Sequence, residues 1–148
     1  MLFKDIVAIS MLFTLVAADY KCSTNLGKFN IKSEWVTAAI KAGGDISGTS
    51  GFPHNFSGGA NPTTQLVFYG ADYRCNKRDP ELWEYPVLKD GSKYPKDQPH
   101  GNIPTPARVV YLRQEPTVPC GVMTHVIEHK NDHHGSGDFR VCDRIEPL

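Results

Sequence analysis

The apolar positions of the chain fall into three textures. In the first, Met1 to Lys4 is a short basic start, Ile6 to Val16 an almost unbroken apolar run, and Ala17-Ala18 a small-residue exit. That layout is a secretory leader, and the run is short for a spanning helix, which needs roughly twenty apolar residues. Residues 1–18 are therefore expected to be a signal peptide, and residues 19–148 a single exported domain. No later stretch is apolar or long enough to enter a bilayer, so no membrane partner is expected once the leader is removed. The second texture is helical: Trp35, Ala38, Ala39 and Ile40 form a stripe, Ser33 can cap its start, and Gly43-Gly44 ends it. The third begins at Phe52, where brief β-rich runs (Gln65 to Gly70, Leu82 to Leu88, Ala107 to Arg113, Gly121 to Ile127) are separated by Gly, Pro, Asn and Asp. Pro95 to Pro106 is Pro-rich and reads as a surface loop between two strands. The pattern predicts an α+β domain, one α-helix packed on a short antiparallel β-sheet.

Three of those apolar runs each carry one ionisable residue: Glu84, Arg108 and His125. Two-residue alternation puts Leu82, Glu84 and Pro86 on one face of their strand, Arg108 with Val110 and Leu112, and His125 with Met123 and Ile127. A carboxylate, a guanidinium and an imidazole on half-buried strands are costly singly. They can satisfy one another when the strands bring them together on one sheet face, as an active site or as a buried ionic knot.

Four cysteines, Cys22, Cys75, Cys120 and Cys142, form an even set with no C-x-x-C spacing, which in an exported chain favours two disulfides. Three pairings are open on spacing alone. A bridge from Cys22 to Cys142 would tie the ends together and constrain a very long unfolded loop. Charge changes the picture by exclusion: 16 Lys+Arg stand against 16 Asp+Glu, and the leader holds one residue of each sign, Lys4 and Asp5. Such a chain is not a general polyanion coat, although positive groups focused in a cleft would suffice for a nucleic-acid enzyme.

The words Phe52-Pro53-His54, Glu84-Tyr85-Pro86, Ala107-Arg108-Val109 and Gly121-Val122-Met123-Thr124-His125 occur in this order. Together they resemble the fungal guanyl-preferring microbial ribonucleases and the related sarcin-like ribotoxins, over about residues 50–142. The resemblance implies a helix against a short antiparallel sheet, a Cys22–Cys142 bridge joining the ends, and, as in the ribotoxin branch, a second bridge from Cys75 to Cys120. It also implies an endoribonuclease, secreted and monomeric, with RNA as its partner and no metal or other cofactor.

In the chemistry so implied, the 2′-hydroxyl of RNA is the nucleophile, Glu84 the base and His125 the acid. His54 keeps Glu84 ionised and holds the phosphate, while Arg108 stabilises the phosphoryl oxygens. Phe139 matches the aromatic that walls the family's site. Two departures qualify the implied guanine preference and rate. Phe52 stands where the family usually has a tyrosine that hydrogen-bonds the phosphate, and the segment Asn55 to Asn61 lacks the tyrosine and glutamate that grip guanine. Phe56 remains there as a candidate surface for stacking on a base.

Asn55-Phe56-Ser57 is an N-glycosylation sequon in an exported chain, which makes Asn55 a candidate glycosylation site. His129, Asp132, His133 and His134 cluster, but their spacing fits no standard zinc arrangement, and the surrounding Lys130, Asn131, Gly135 and Gly137 read as an exposed loop. The start Tyr20-Lys21-Cys22 resembles that of secreted mildew effectors with a ribonuclease-like domain. The alternative reading is thus a non-catalytic effector that binds host RNA or protein. A ribotoxin acting on ribosomal RNA is a lesser alternative, because the Lys- and Gly-rich insertion of those toxins is missing between Cys75 and Glu84.

Overall fold

The computed structural model describes residues 18–56, 66–77, 81–99, 103–130 and 132–146, with Asp132 to His134 described in backbone only. The chain opens with a hairpin of β1 (Asp19–Thr24) and β2 (Gly27–Ile31), followed by α1 (Ser33–Gly43). The strands β3 (His54–Phe56), β4 (Leu82–Pro86), β5 (Ala107–Leu112), β6 (Pro119–His129) and β7 (Asp132–Val141) form an antiparallel sheet in that order. The short β8 (Asp143–Ile145) returns to β1, giving a second sheet in the order β2-β1-β8. The expected α+β class stands, with more sheet than the apolar runs suggested.

Helix α1 packs on the central strands through Val36, Ile40 and Gly43, with Trp35, Ala39 and Ala42 half-buried beside them. Ala38, expected in the apolar stripe, is exposed. Ser33 does not cap the helix: Lys32 occupies the cap position, and the Ser33 N–H donates to Asp19 Oδ1 at 2.8 Å, so a carboxylate from β1 stands at the positive helix end. At the other end a side chain at Gly43 would meet the Tyr111 hydroxyl at 2.7 Å and the Tyr85 ring at 3.0 Å. Only glycine lets the helix approach the sheet so closely. The last carbonyls are answered by Lys96 Nζ donating to Gly43 and Tyr111 Oη donating to Gly44.

The sheet thus has two buried faces. Trp83, Tyr85, Val109, Tyr111 and Val122 point toward the helix. Leu82, Val110, Leu112 and Met123 point the other way, beneath Phe68, Cys75 and Cys120. Disulfides Cys22–Cys142 and Cys75–Cys120 close the two ends and pin this second cover.

Two further expectations need correction. The described part of the expected strand Gln65 to Gly70 is irregular, because the backbone of Phe68 bonds in both directions to the side chain of Asn76 (2.8 and 3.0 Å) and not to a neighbouring strand. The stretch around Lys130 to Gly137, expected as an exposed loop, contains the turn between β6 and β7 and most of β7 itself. Backbone pairing with β6 holds that strand despite its polar sequence. The Pro95 to Pro106 segment is irregular where described, but Thr105 is fully buried and Ile103 packs on the helix-side core.

Candidate active site

Register places the charged residues. Opposite partners in an antiparallel pair share a sheet face. His54 lies opposite Glu84, Glu84 opposite Val110, Arg108 opposite Met123, and His125 opposite Phe139. Stepping two residues along β5 from Val110 reaches Arg108, and two along β6 from Met123 reaches His125. His54, Glu84, Arg108, His125 and Phe139 therefore belong, with Val110 and Met123, to the face away from the helix. Glu84, Arg108 and His125 run diagonally across β4, β5 and β6, with the guanidinium between the carboxylate and the imidazole.

Glu84 is buried, and its Oε1 lies 2.9 Å from His54 Nε2. The other ring nitrogen of His54, Nδ1, lies 3.3 Å from the carbonyl of Gly51. Both ring nitrogens are thus within hydrogen-bond reach of an oxygen, which fixes the ring against Glu84. The His54 side chain is about half exposed while Glu84 is 8 % exposed. The pair is thus reachable from solvent on the histidine side.

Arg108 is 5 % exposed. Its Nε and Nη1 are buried and make no hydrogen bond among the described residues. Burial pushes the guanidinium below its ordinary basicity, and the negative Glu84 opposes that. A guanidinium is basic enough to remain a cation even so. Its compensation is aromatic: Cζ sits 4.6 Å from the centre of the Phe52 ring. The same ring stacks on His54 at 4.5 Å and 28°, and meets Tyr94 edge-on. The Phe52 ring thus packs against both His54 and Arg108.

His125 is held from both sides. Its Nδ1 lies 3.0 Å from the Gly137 carbonyl and its ring stacks on Phe139 at 3.9 Å. A carbonyl can only accept, so Nδ1 carries the proton and Nε2 is the nitrogen that gains and loses one. The register slips between His125 and Ile127, where Gly135 (φ 70°) and Gly137 (φ 76°) adopt left-handed backbone. A side chain at Gly135 would meet His125 Cβ at 2.8 Å, so the slip lets β7 wrap the imidazole.

Phe56 is not presented to a base. It is 7 % exposed and packs edge-on to Phe68 at 6.2 Å, supporting the sheet face from below. Sequence reasoning missed the partners that orient the site, Gly51, Gly137 and Tyr94, because backbone carbonyls and a loop residue leave no alternation to read. A cavity of about 440 Å³ lies between α1 and residues 85–94, against Trp35, Tyr85 and Tyr94, and none of His54, Glu84, Arg108 or His125 lines it.

Asn55 is exposed on the edge strand β3 and donates to Glu81 at 2.9 Å. Ser57 of its sequon lies outside the described residues, as do the side chains of Asp132, His133 and His134; His129 Nε2 lies 2.9 Å from Ser136 Oγ. Among the described residues no three ligating side chains gather for a metal, and no described helix is long and apolar enough to cross a membrane.

One helix lies behind an antiparallel sheet whose other face displays Glu84, Arg108 and His125, an α+β fold of the ribonuclease class. A ribonuclease family profile matches residues 19–137, and the chain belongs to that family. Within it the chain is ribotoxin-like. Hirsutellin A from Hirsutella thompsonii is 31 % identical, with 86 % of this chain and 98 % of that one aligned and a TM-score of 0.63. Restrictocin, described as a highly specific Aspergillus ribotoxin, shares 21 % identity over 84 % of this chain and 99 % of that one, with a TM-score of 0.61. The cytotoxic ribonuclease α-sarcin shares 18 % over 86 % and 99 %, with a TM-score of 0.64. The last two likenesses are of fold alone. No curated protein sequence matches.

Proposed function

We propose that the chain is a secreted, metal-independent endoribonuclease that cleaves RNA by transphosphorylation. Glu84 takes the proton from the 2′-hydroxyl, and the 2′-oxygen attacks phosphorus. The bond from phosphorus to the 5′-oxygen breaks, and His125 Nε2 delivers a proton to that oxygen. The products are a 2′,3′-cyclic phosphate and a free 5′-hydroxyl. In the second stage water opens the ring with the roles exchanged, His125 accepting and Glu84 donating. Each placed proton transfer contributes about 10²–10⁴-fold.

The observation that carries this reading is the diagonal row on one sheet face, with Arg108 between base and acid. In-line displacement needs base and acid on opposite sides of phosphorus, with a cation where the phosphoryl charge grows. Arg108 supplies it, kept out of water with two donors unanswered, a cost that an anion bound on this face offsets. His54 hydrogen-bonds Glu84, Phe52 packs against both His54 and Arg108, and Phe139 walls His125. Residues 1–18 act as the export leader in this reading, and the two disulfides suit the oxidising destination.

The test is the pH–rate profile on dinucleoside phosphates. Because Glu84 must be ionised and His125 protonated, kcat/KM passes through a maximum and falls on both sides. Glu84→Gln removes the acid limb of that profile and His125→Ala the alkaline limb. A flat wild-type profile contradicts both assignments. Ranking the dinucleotides reports on guanine preference, for which the segment after His54 offers no matching carboxylate. The likeness to ribotoxin folds favours a second reading, a single cut in structured ribosomal RNA, whereas the zero net charge argues for general single-stranded substrates. Intact ribosomes yielding one fragment while dinucleotides stay whole would select the second reading. A folded wild type that cuts nothing would leave the non-catalytic effector.

A further inference from the structure

Residues 66–77 are held to the sheet with more fastenings than an ordinary connection has. Phe68 is 2 % exposed and packs against Gly121, where a Cβ would come within 2.9 Å of its ring. Asn76 brackets the Phe68 backbone, Cys75 is bonded to Cys120, and the Gly70 carbonyl accepts from Arg144 Nη1. Arg74 is gripped by Asp72 and Glu115. Yet this pinned segment turns two tyrosines outward: Tyr69 is 84 % and Tyr73 68 % exposed, and Lys77 Nζ lies 4.7 Å from the centre of the Tyr73 ring. Apolar rings displayed on a rigid base lose little freedom when they bind.

The place of the segment gives the displayed rings a meaning. Gly121, on which Phe68 rests, lies opposite Val110, which lies opposite Glu84. Phe68 also touches Phe56, two residues along β3 from His54. The segment is therefore the flank of the face that carries Glu84 and His125. Its charges nearly cancel, since Asp72 and Glu115 answer Arg74 and Glu146 answers Arg144, leaving Lys77 as its one cation without an ion-pair partner among the described residues. What remains is π-surface, with a cation beside it.

We infer that Tyr69 and Tyr73, with Lys77, form a stacking platform for unpaired bases of the RNA strand beyond the two nucleotides that span the scissile bond. This rests on the reading of the adjacent face as the cleavage site. Base stacking on aromatic side chains tolerates any base, which fits a chain whose charged row carries no evident base-reading group. The platform makes the protein a better enzyme for single-stranded stretches of several nucleotides than for dinucleotides or for duplex, whose bases are already stacked.

The experiment measures binding of a single-stranded 2′-O-methyl octanucleotide, which cannot be cleaved, alongside cleavage of a dinucleoside phosphate and of an unmodified octanucleotide. The proteins are wild type, Tyr69→Ala/Tyr73→Ala and Tyr69→Phe/Tyr73→Phe, each checked for an unchanged urea midpoint. The alanine pair is expected to weaken octanucleotide binding about fivefold or more. It lowers octanucleotide kcat/KM in step and leaves dinucleotide cleavage unchanged, and the phenylalanine pair retains wild-type values. Equal octanucleotide affinity in wild type and the alanine pair overturns the inference, as does wild type that binds no octanucleotide. A loss shared by the dinucleotide also overturns it, since the rings would then serve the cleavage site itself. Ring-dependent binding by a wild type that cuts no RNA upholds the platform and ends the cleavage reading, so the two fail separately.

Discussion

The two faces of the central sheet are buried to nearly the same degree and built of opposite materials. On the helix side Tyr85, Val109, Tyr111 and Val122 are at most 1 % exposed, a continuous apolar layer. On the other side Glu84 and Arg108, at 6 % and 5 %, sit among Val110, Leu112 and Met123. Fully burying one large apolar side chain contributes about 1.5–3 kcal/mol, whereas burying a charge costs unless it is paired. One face is built for stability, and the other places ionisable side chains where an apolar layer would cost less.

Substitutions across the sheet should separate accordingly. The largest effect is expected from His125→Ala, which removes the proposed proton donor and lowers turnover by about 10²–10⁴-fold, with a urea midpoint close to wild type. On the helix side Ile40→Ala should do the reverse, lowering stability by about 2–5 kcal/mol while the surviving folded fraction keeps its turnover. Calorimetry and initial rates on the same preparations check both. A His125→Ala protein that is as unstable as Ile40→Ala would erase the contrast.

Arg108→Met sharpens the comparison, because the apolar replacement fits the space beside Phe52 and removes a buried charge. Stability is expected to hold, because the lost guanidinium made no hydrogen bond through Nε or Nη1 among the described residues and His54 remains on Glu84, while cleavage falls, a trade of the kind that marks a functional charge. The disulfides give a smaller contrast. Both close large loops, of 120 and 45 residues in sequence separation. Loop entropy makes loss of Cys22–Cys142 the costlier by about 0.9 kcal/mol, which denaturation of the two double-serine variants would measure.

The smallest expected effect concerns acid. Arg74 hydrogen-bonds the Asp72 carboxyl and holds it down at about 2. A carboxyl whose folded pKa lies below its unfolded value favours folding above the unfolded value, near 3.9. That share is lost as pH falls through about 2. Arg74→Gln should therefore flatten the decline in urea midpoint between those two values, lowering the midpoint slightly at neutral pH and leaving it unaltered at the acid end, where Asp72 is protonated in either protein.

Legibility in the sequence followed the same division. The strands through Glu84, Arg108 and His125 could be read because apolar alternation carries them, and their charges stood out against that pattern. Helix α1 could be read from its stripe and terminal glycines, but not its start, because Asp19 arrives from β1 across the fold. Strand β7 was hidden: its Gly, His and Asp residues read as loop, and only pairing with β6 makes it a strand. The Leu66 to Gly70 stretch misled in the other direction, since Asn76 satisfies the Phe68 backbone that a strand partner would otherwise have taken. Phe52 read as a lost hydroxyl, while its contacts with both His54 and Arg108 depend on where the loop before β3 sets its ring.

The most direct test of the central claim is the identity of the phosphate left on RNA. Purified, oxidised protein is incubated with a dinucleoside phosphate in excess chelator, and the phosphorus spectrum is followed over time beside Glu84→Gln and His125→Ala. A 2′,3′-cyclic phosphate is expected to appear first and then open to a 3′-monophosphate, made by wild type and nearly abolished in both variants. A 5′-phosphate, a reaction stopped by the chelator, or cleavage undiminished in His125→Ala would contradict that claim.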